Sequence, residues 1–521
     1  TSRYQLDGYY FAQATAAVTE RPATGEVFVH VLVEEGPKVS LVERPGLEWD
    51  GPRSFEEAEI QDLLDIEVPS TYVPRLPLIV KGKLIDHYRN RGYRFVDVDV
   101  RPEVDREAAT ARLAVRIQEG PRTRIGSVRF EGAERTARWV LANRLKLGEG
   151  DWYSEDRIRD SYRSLFASGL FSSVTIETAP MDGSPDLLDL SVRVVEKSRF
   201  RISVLGGFGS WEYLRGKVTA EYANIFGTGH RVSVTGKGSF RGYGASADYL
   251  NPLVFSDRLS HRARGFYELR ENPSFTEEKY GGETGFGYRF TDNLSSGIAY
   301  RLAESDTTDF STVIPEELRQ DVLLSSVIFS TSLDDRNSVA SPDEGSSHRL
   351  SFEYSGEGLG SELDFLRVGA GTTWILPLGE LRLVASARAG AIARLRDTDV
   401  IPVQERYYLG GDSTVRSFHQ DEAGPKSQGE PIGGEAYTLF NVELRFPLLL
   451  LENLDGSIFG DAGSVVEDIT EFGGGRYLFA VGAGIRYDTP FGPLRVDMGF
   501  NPDRAPGEDL FVVHVGLGYP F

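Results

Sequence analysis

The chain has 521 residues, a formal net charge of −21 and no cysteine. The charge argues against a nucleic-acid binder, and the missing thiols exclude disulfides, thiolate catalysis and Cys-ligated metals. Seven His without an HExxH spacing offer no zinc motif, so neither a metal nor a cofactor is expected.

No stretch of about 18 apolar residues occurs, so no transmembrane helix is expected. The 57 Gly, 23 Tyr and 30 Phe suit a membrane β-barrel, whose apolar residues alternate with polar lumen-facing ones and never form a run. A soluble all-β protein fits the composition as well. No basic-then-apolar leader is seen at Thr1, and the chain is expected to be mature or a fragment.

Before Glu196-Lys197 helical and strand patterns mix; after it nearly everything alternates with period two. The early part repeats. Gly8-Tyr9-Tyr10, Gly92-Tyr93 and Gly169-Leu170-Phe171 each open a pair of alternating stretches, and the first two pairs close at Glu35-Gly36-Pro37 and Glu119-Gly120-Pro121. Leu84, Ile85 and Tyr88, and likewise Tyr162, Leu165 and Phe166, have helical spacing ahead of the second and third Gly. Each unit reads as helix, Gly cap, strand, turn, strand, with the Gly supplying the left-handed residue that ends the helix. The boundaries expected are residues 1–37 for the last part of a first module, 38–120 and 121–197 for two further modules, and 198–521 for a barrel. The first module lacks its opening strand and helix in this reading.

Residues 198–521 accommodate about sixteen strands of about 9–11 residues with their connections. Alternation is clean in Leu350–Tyr354, Phe440–Phe446, Val481–Tyr487 and Leu494–Phe500. The last stretch sets Phe511, Val513, Val515, Leu517, Tyr519 and Phe521 on one face. Polar stretches from Glu304 to Gln320 and from Leu395 to Gly434 are expected as long loops.

Inside the second of these loops lies Tyr407-Tyr408-Leu409-Gly410-Gly411-Asp412-Ser413-Thr414-Val415-Arg416-Ser417-Phe418. If this loop folds into the barrel, Arg416 needs a carboxylate. Glu443 and Asp461 occupy inward positions of the next two strands. A guanidinium can serve carboxylates with a bidentate fork that Lys cannot match. The plainer reading is an exposed loop arginine with no fixed partner.

Gly410 to Phe418 resembles the loop motif of the BamA/TamA superfamily of outer-membrane assembly proteins, whose core is Val/Ile-Arg-Gly-Phe/Tyr. Asp335-Arg336-Asn337 with Asp343-Glu344-Gly345, Gly433-Gly434 with Glu443, Phe459-Gly460-Asp461-Ala462-Gly463 and the stretch Gly482 to Asp497 follow the family order. The repeated modules resemble POTRA domains, and Phe521 resembles the C-terminal signal of bacterial outer-membrane proteins. The resemblance implies α/β POTRA modules in the periplasm, then an all-β outer-membrane barrel of sixteen antiparallel strands. It implies a lumen loop carried by Val415, Arg416, Ser417 and Phe418, paired with Asp461 and Glu443. Ser417 stands where the family has Gly; a Ser is costly at positive φ, so the local backbone is expected to differ.

The resemblance implies insertion of outer-membrane proteins or autotransporters, and no enzyme. The closing stretch His514 to Gly518 and the room for about three modules look more TamA-like than BamA-like. A two-partner-secretion pore is the further alternative. Clients are unfolded outer-membrane proteins, the medium is outer-membrane lipid, and the partner is a TamB-like inner-membrane-anchored protein, or periplasmic lipoproteins in the BamA-like case. Gly206, Gly207 and Gly209 in the first strand and Gly516 and Gly518 in the last weaken pairing at the closing seam. They mark either a lateral gate, at which a client strand adds by β-augmentation, or tight barrel curvature. Gly236-Lys237-Gly238 lacks the Ser or Thr of a phosphate loop and sits in strand pattern.

Overall fold

The computed structural model describes residues 2–21, 26–338, 342–396, 398–448, 453–489 and 492–517. Two compact units divide the chain, Thr1–Lys197 and Ser198–Phe521. Gly518, Tyr519 and Phe521 lie outside the described residues.

In the first unit an antiparallel hairpin pairs Gln13–Arg21 with Glu26–Glu34. The next module carries helices Glu57–Leu64 and Leu76–Arg89 against a sheet centred on Thr110–Gln118. Thr110–Gln118 alternates strictly, so Ala111, Leu113, Val115 and Ile117 all point into one core with Leu84 and Tyr88 of the helix. The last module packs helix Glu155–Ala167 on a three-stranded sheet with Ser184–Glu196 in the middle. Gly92 and Gly169 follow the two long helices at φ +107° and +71°, the left-handed stop read from the sequence. Burial pushes the Tyr72 hydroxyl, in the first of these cores, up to about 12.

The second unit is a closed barrel of sixteen antiparallel strands. Strands 1 to 4 are Phe200–Gly209, Tyr213–Ile225, His230–Ser239 and Gly242–Asn251. Strands 5 to 8 are Leu259–Glu271, Thr276–Arg289, Leu294–Thr308 and Val322–Asp334. Strands 9 to 12 are Gly345–Ser355, Phe365–Leu378, Leu381–Arg394 and Ala436–Pro447. Strands 13 to 16 are Leu454–Val466, Leu478–Thr489, Gly492–Phe500 and Phe511–Leu517. The expected loop from Glu304 to Gln320 is shorter than the sequence suggested, because strand 7 continues to Thr308. Its alternating Glu304 and Asp306 set the buried Ser305 and Thr307 inward, so polar residues here extend a strand.

Period-two alternation gives the wall two faces. Ile298, Phe329, Phe440, Val442, Val481, Ile485 and Met498 are exposed on the outside. Charged residues fill the lumen as ion pairs, among them Arg301 with Glu283 at 3.0 Å and Lys237 with Glu268 at 2.8 Å. An apolar outer band over a polar interior is the arrangement a bilayer requires.

Candidate functional site: a lumen loop and the barrel seam

The segment between strands 11 and 12 turns inward and crosses the lumen. Arg416 of this segment is buried, 5% exposed. Its Nε and Nη2 donate to Asp461 Oδ2 and Oδ1 at 2.9 and 2.8 Å, a bidentate fork. Its Nη1 donates to Glu443 Oε2 at 2.9 Å, and its backbone N–H to Asp461 Oδ2 at 3.2 Å. The guanidinium lies 3.3 Å from the Phe459 ring centre. Asp461 and Glu443 stand on strands 13 and 12, whose alternation directs both inward. Val415 and Phe418 pack with Leu409, Leu439, Val465, Leu478 and Ala480.

Ser417 departs from expectation. It is not among the residues with positive φ, so it carries no left-handed strain. Its hydroxyl donates to the Phe479 carbonyl of strand 14 at 2.7 Å. The Ser therefore adds a hydrogen bond in place of the conformational freedom of Gly.

Several residues of the site were not legible. Asn441 donates to both the Thr414 carbonyl and Asp461, at 2.7 and 2.8 Å. Asp497 of strand 15 lies 3.8 Å from Arg416 Nη1. Gly499 is required, because a Cβ there would overlap the Arg416 carbonyl oxygen. His514 Nε2 of strand 16 lies 3.1 Å from that same oxygen. A second anchor holds the start of the loop: buried Glu405 accepts from Lys279 of strand 6 at 2.8 Å and Arg367 of strand 10 at 2.7 Å. The inward register of Lys279 and Arg367 was the available signal; their meeting with Glu405 is a matter of loop path.

The seam is the other notable region. Strand 1 pairs with strand 2 through ten consecutive residue pairs. With strand 16 it makes two among the described residues, Phe208 with Leu517 and Gly209 with Gly516. Ser210 adds a side-chain bridge, donating to the Val515 carbonyl at 3.2 Å and accepting from its N–H at 2.6 Å. Gly206 pairs with Gly216 of strand 2 and has open space where a Cβ would stand. Gly207 lies so close to the Leu517 carbonyl that a Cβ would sit 2.6 Å from it, so close approach accounts for this glycine. Gly518 and Phe521 fall outside the described residues.

A profile of the Omp85 superfamily domain matches residues 224–521, more than half of the chain. The chain belongs to the Omp85 superfamily. POTRA repeats, described as the surface antigen variable number repeat, match this Omp85 chain at residues 46–120 and 123–197. It is an outer-membrane barrel preceded by POTRA modules. It is similar to the outer membrane protein assembly factor BamA of Neorickettsia risticii, at 26% identity over 99% of this chain and 71% of that protein. It is 24% identical to BamA of Nitratidesulfovibrio vulgaris over 96% of this chain, and there it spans 64% of the relative's length. Among solved structures, BamA from Haemophilus ducreyi lacking POTRA domains 1–3 shares the fold at a TM-score of 0.76 and 19% identity, covering 92% of this chain and 99% of that one.

Proposed function

We propose that this protein assembles β-barrel proteins into the outer membrane, as the names of its BamA relatives state of them. Those names favour the BamA-like alternative over the TamA-like reading. The observation that carries the mechanism is the seam: among the described residues strand 1 meets strand 16 at Phe208 with Leu517 and Gly209 with Gly516, with glycine on both strands at the junction. Opening this seam turns strand 1 into an edge whose freed N–H and C=O groups template an incoming strand. Clients are unfolded outer-membrane proteins, a strand of which adds to this edge within outer-membrane lipid. The POTRA modules lie in the periplasm in this reading and meet periplasmic lipoproteins, the partners of a BamA-like chain, in place of a TamB-like one. Gly206, Gly209 and Gly516 ease the opening. No covalent bond is made or broken, so no catalytic residue is assigned.

The test uses the absence of Cys. Gly209→Cys with Gly516→Cys places thiols at a paired position of the seam. Insertion of an unfolded outer-membrane barrel is followed into liposomes holding the oxidised or reduced protein. Acceleration only in the reduced state is expected. Equal acceleration in both states sinks the seam mechanism. No acceleration in either state, with ion conductance present, favours a secretion pore.

A further inference from the structure

The seven turns that join even-numbered to odd-numbered strands share one end of the barrel, the end at which strand 1 begins. Two of them carry the most water-exposed large apolar residues of the described chain. Phe226, between strands 2 and 3, is 93% exposed, and Phe255, between strands 4 and 5, is 98% exposed. Both have left-handed backbone, at φ +50° and +63°. Bulky L residues rarely adopt that region, and Gly, Asn or Asp would serve such a turn with less strain. Turn chemistry therefore does not account for Phe at either tip, and neither does packing within the barrel. Phe290, between strands 6 and 7, and Leu378, which ends strand 10, are half-exposed at the same end.

Something outside the barrel must offset this exposure, and the outer wall indicates what. A chain of rings runs along the outward face just above these turns: Tyr249 lies 6.1 Å from His261, and His261 lies 4.9 Å from Phe286. Tyr288 then lies 4.9 Å from Phe290, which carries the chain from wall to turn. Aromatic girdles mark the membrane–water interface of such barrels. The tips continue an interface already present on the wall. Arg258 and Arg289 stand beside the second and third tips, with Asp257 and Asp292 in the same turns. The Arg289 guanidinium donates to the Asp257 backbone carbonyl at 3.0 Å and keeps further donors for a lipid phosphate.

We propose that Phe226 and Phe255 insert into the lipid at the headgroup–acyl boundary of the leaflet on this side, and that Arg258 and Arg289 contact its phosphates. The turns are then membrane anchors, and the barrel's depth in the bilayer is set on the flank of strands 2 to 7. This inference depends on the barrel lying in a membrane, and stands whether or not the chain inserts other proteins.

Single Cys variants test it, since the chain has no Cys. Phe226→Cys and Phe255→Cys, each labelled with an environment-sensitive fluorophore, are placed in phospholipid liposomes and compared with Glu344→Cys, in the polar turn between strands 8 and 9. Heat-modifiable gel mobility confirms that each barrel is folded; Phe290→Cys replaces either variant that is not. Expected is several-fold stronger quenching by spin-labelled lipid at 226 and 255 than at 344, with protection from aqueous iodide. Quenching equal to that at 344 overturns the proposal. Protection from iodide without quenching by lipid also overturns it, and assigns the tips to a protein surface instead.

Discussion

Removing the Arg416 guanidinium strands one carboxylate rather than two. In an Arg416→Met variant Glu443 keeps Arg445 and Arg486, each at 2.7 Å. Among the described residues Asp461 keeps as hydrogen-bond donors Asn441 at 2.8 Å and the Arg416 backbone N–H at 3.2 Å. Its side chain is fully buried, so it cannot recover water. The expected loss is that of one unpaired buried charge, about 3–5 kcal/mol, and not twice that. Adding Asp461→Asn should restore part of it, with a coupling of about 1–3 kcal/mol. The assay is urea unfolding of the barrel in lipid vesicles, read by heat-modifiable mobility and tryptophan emission, with unchanged denaturant dependence. A single variant within about 1 kcal/mol of the wild type, or strict additivity in the double variant, would refute this account. The loop would then be held by Val415 and Phe418 rather than by charge.

Glu405→Gln should free the start of the same loop. Lys279 and Arg367 retain Glu277 at 3.4 Å and Glu353 at 3.1 Å, so the cost is limited to about 1.5–3 kcal/mol. Larger or noisier single-channel conductance is expected, and an unchanged trace would show that the loop is held elsewhere. Gly499→Ala should cost about 1–3 kcal/mol by overpacking against the Arg416 carbonyl, measured in the same vesicles. In the first unit, burial tends to raise the Glu196 carboxyl, but donors from Thr136 and Arg135 outweigh it and hold the group below its usual range. Its contribution is present above the ordinary glutamate value and lost as pH falls through the lowered one. Thermal unfolding of this unit should therefore weaken in acid less steeply in Glu196→Gln than in the wild type; parallel pH profiles would count against this role.

The expectation about Ser417 shows where a motif misleads. Compared with the family pattern, a Ser at the Gly position suggested strain at positive φ. The observed backbone avoids that region, and the hydroxyl reaches a strand 14 carbonyl instead. The loop from Glu304 went astray for another reason. Polarity reads as loop when one face of a strand lines water, and strand 7 has such a face to its end.

Local pattern alone determined the cleanly alternating strands, the inward or outward sense of their residues and the helix stops at Gly92 and Gly169, because side-chain alternation and φ preferences act over a few residues. It also set Asp461 and Glu443 on the lumen side of adjacent strands. What only the tertiary structure decided is which distant groups meet. His514, Gly499, Asp497, Lys279 and Arg367 meet the loop because barrel closure brings strands 6, 10, 15 and 16 around one lumen. The seam is likewise a property of closure: where strand 16 meets strand 1 depends on the stagger summed over all sixteen strands, and no single strand encodes it.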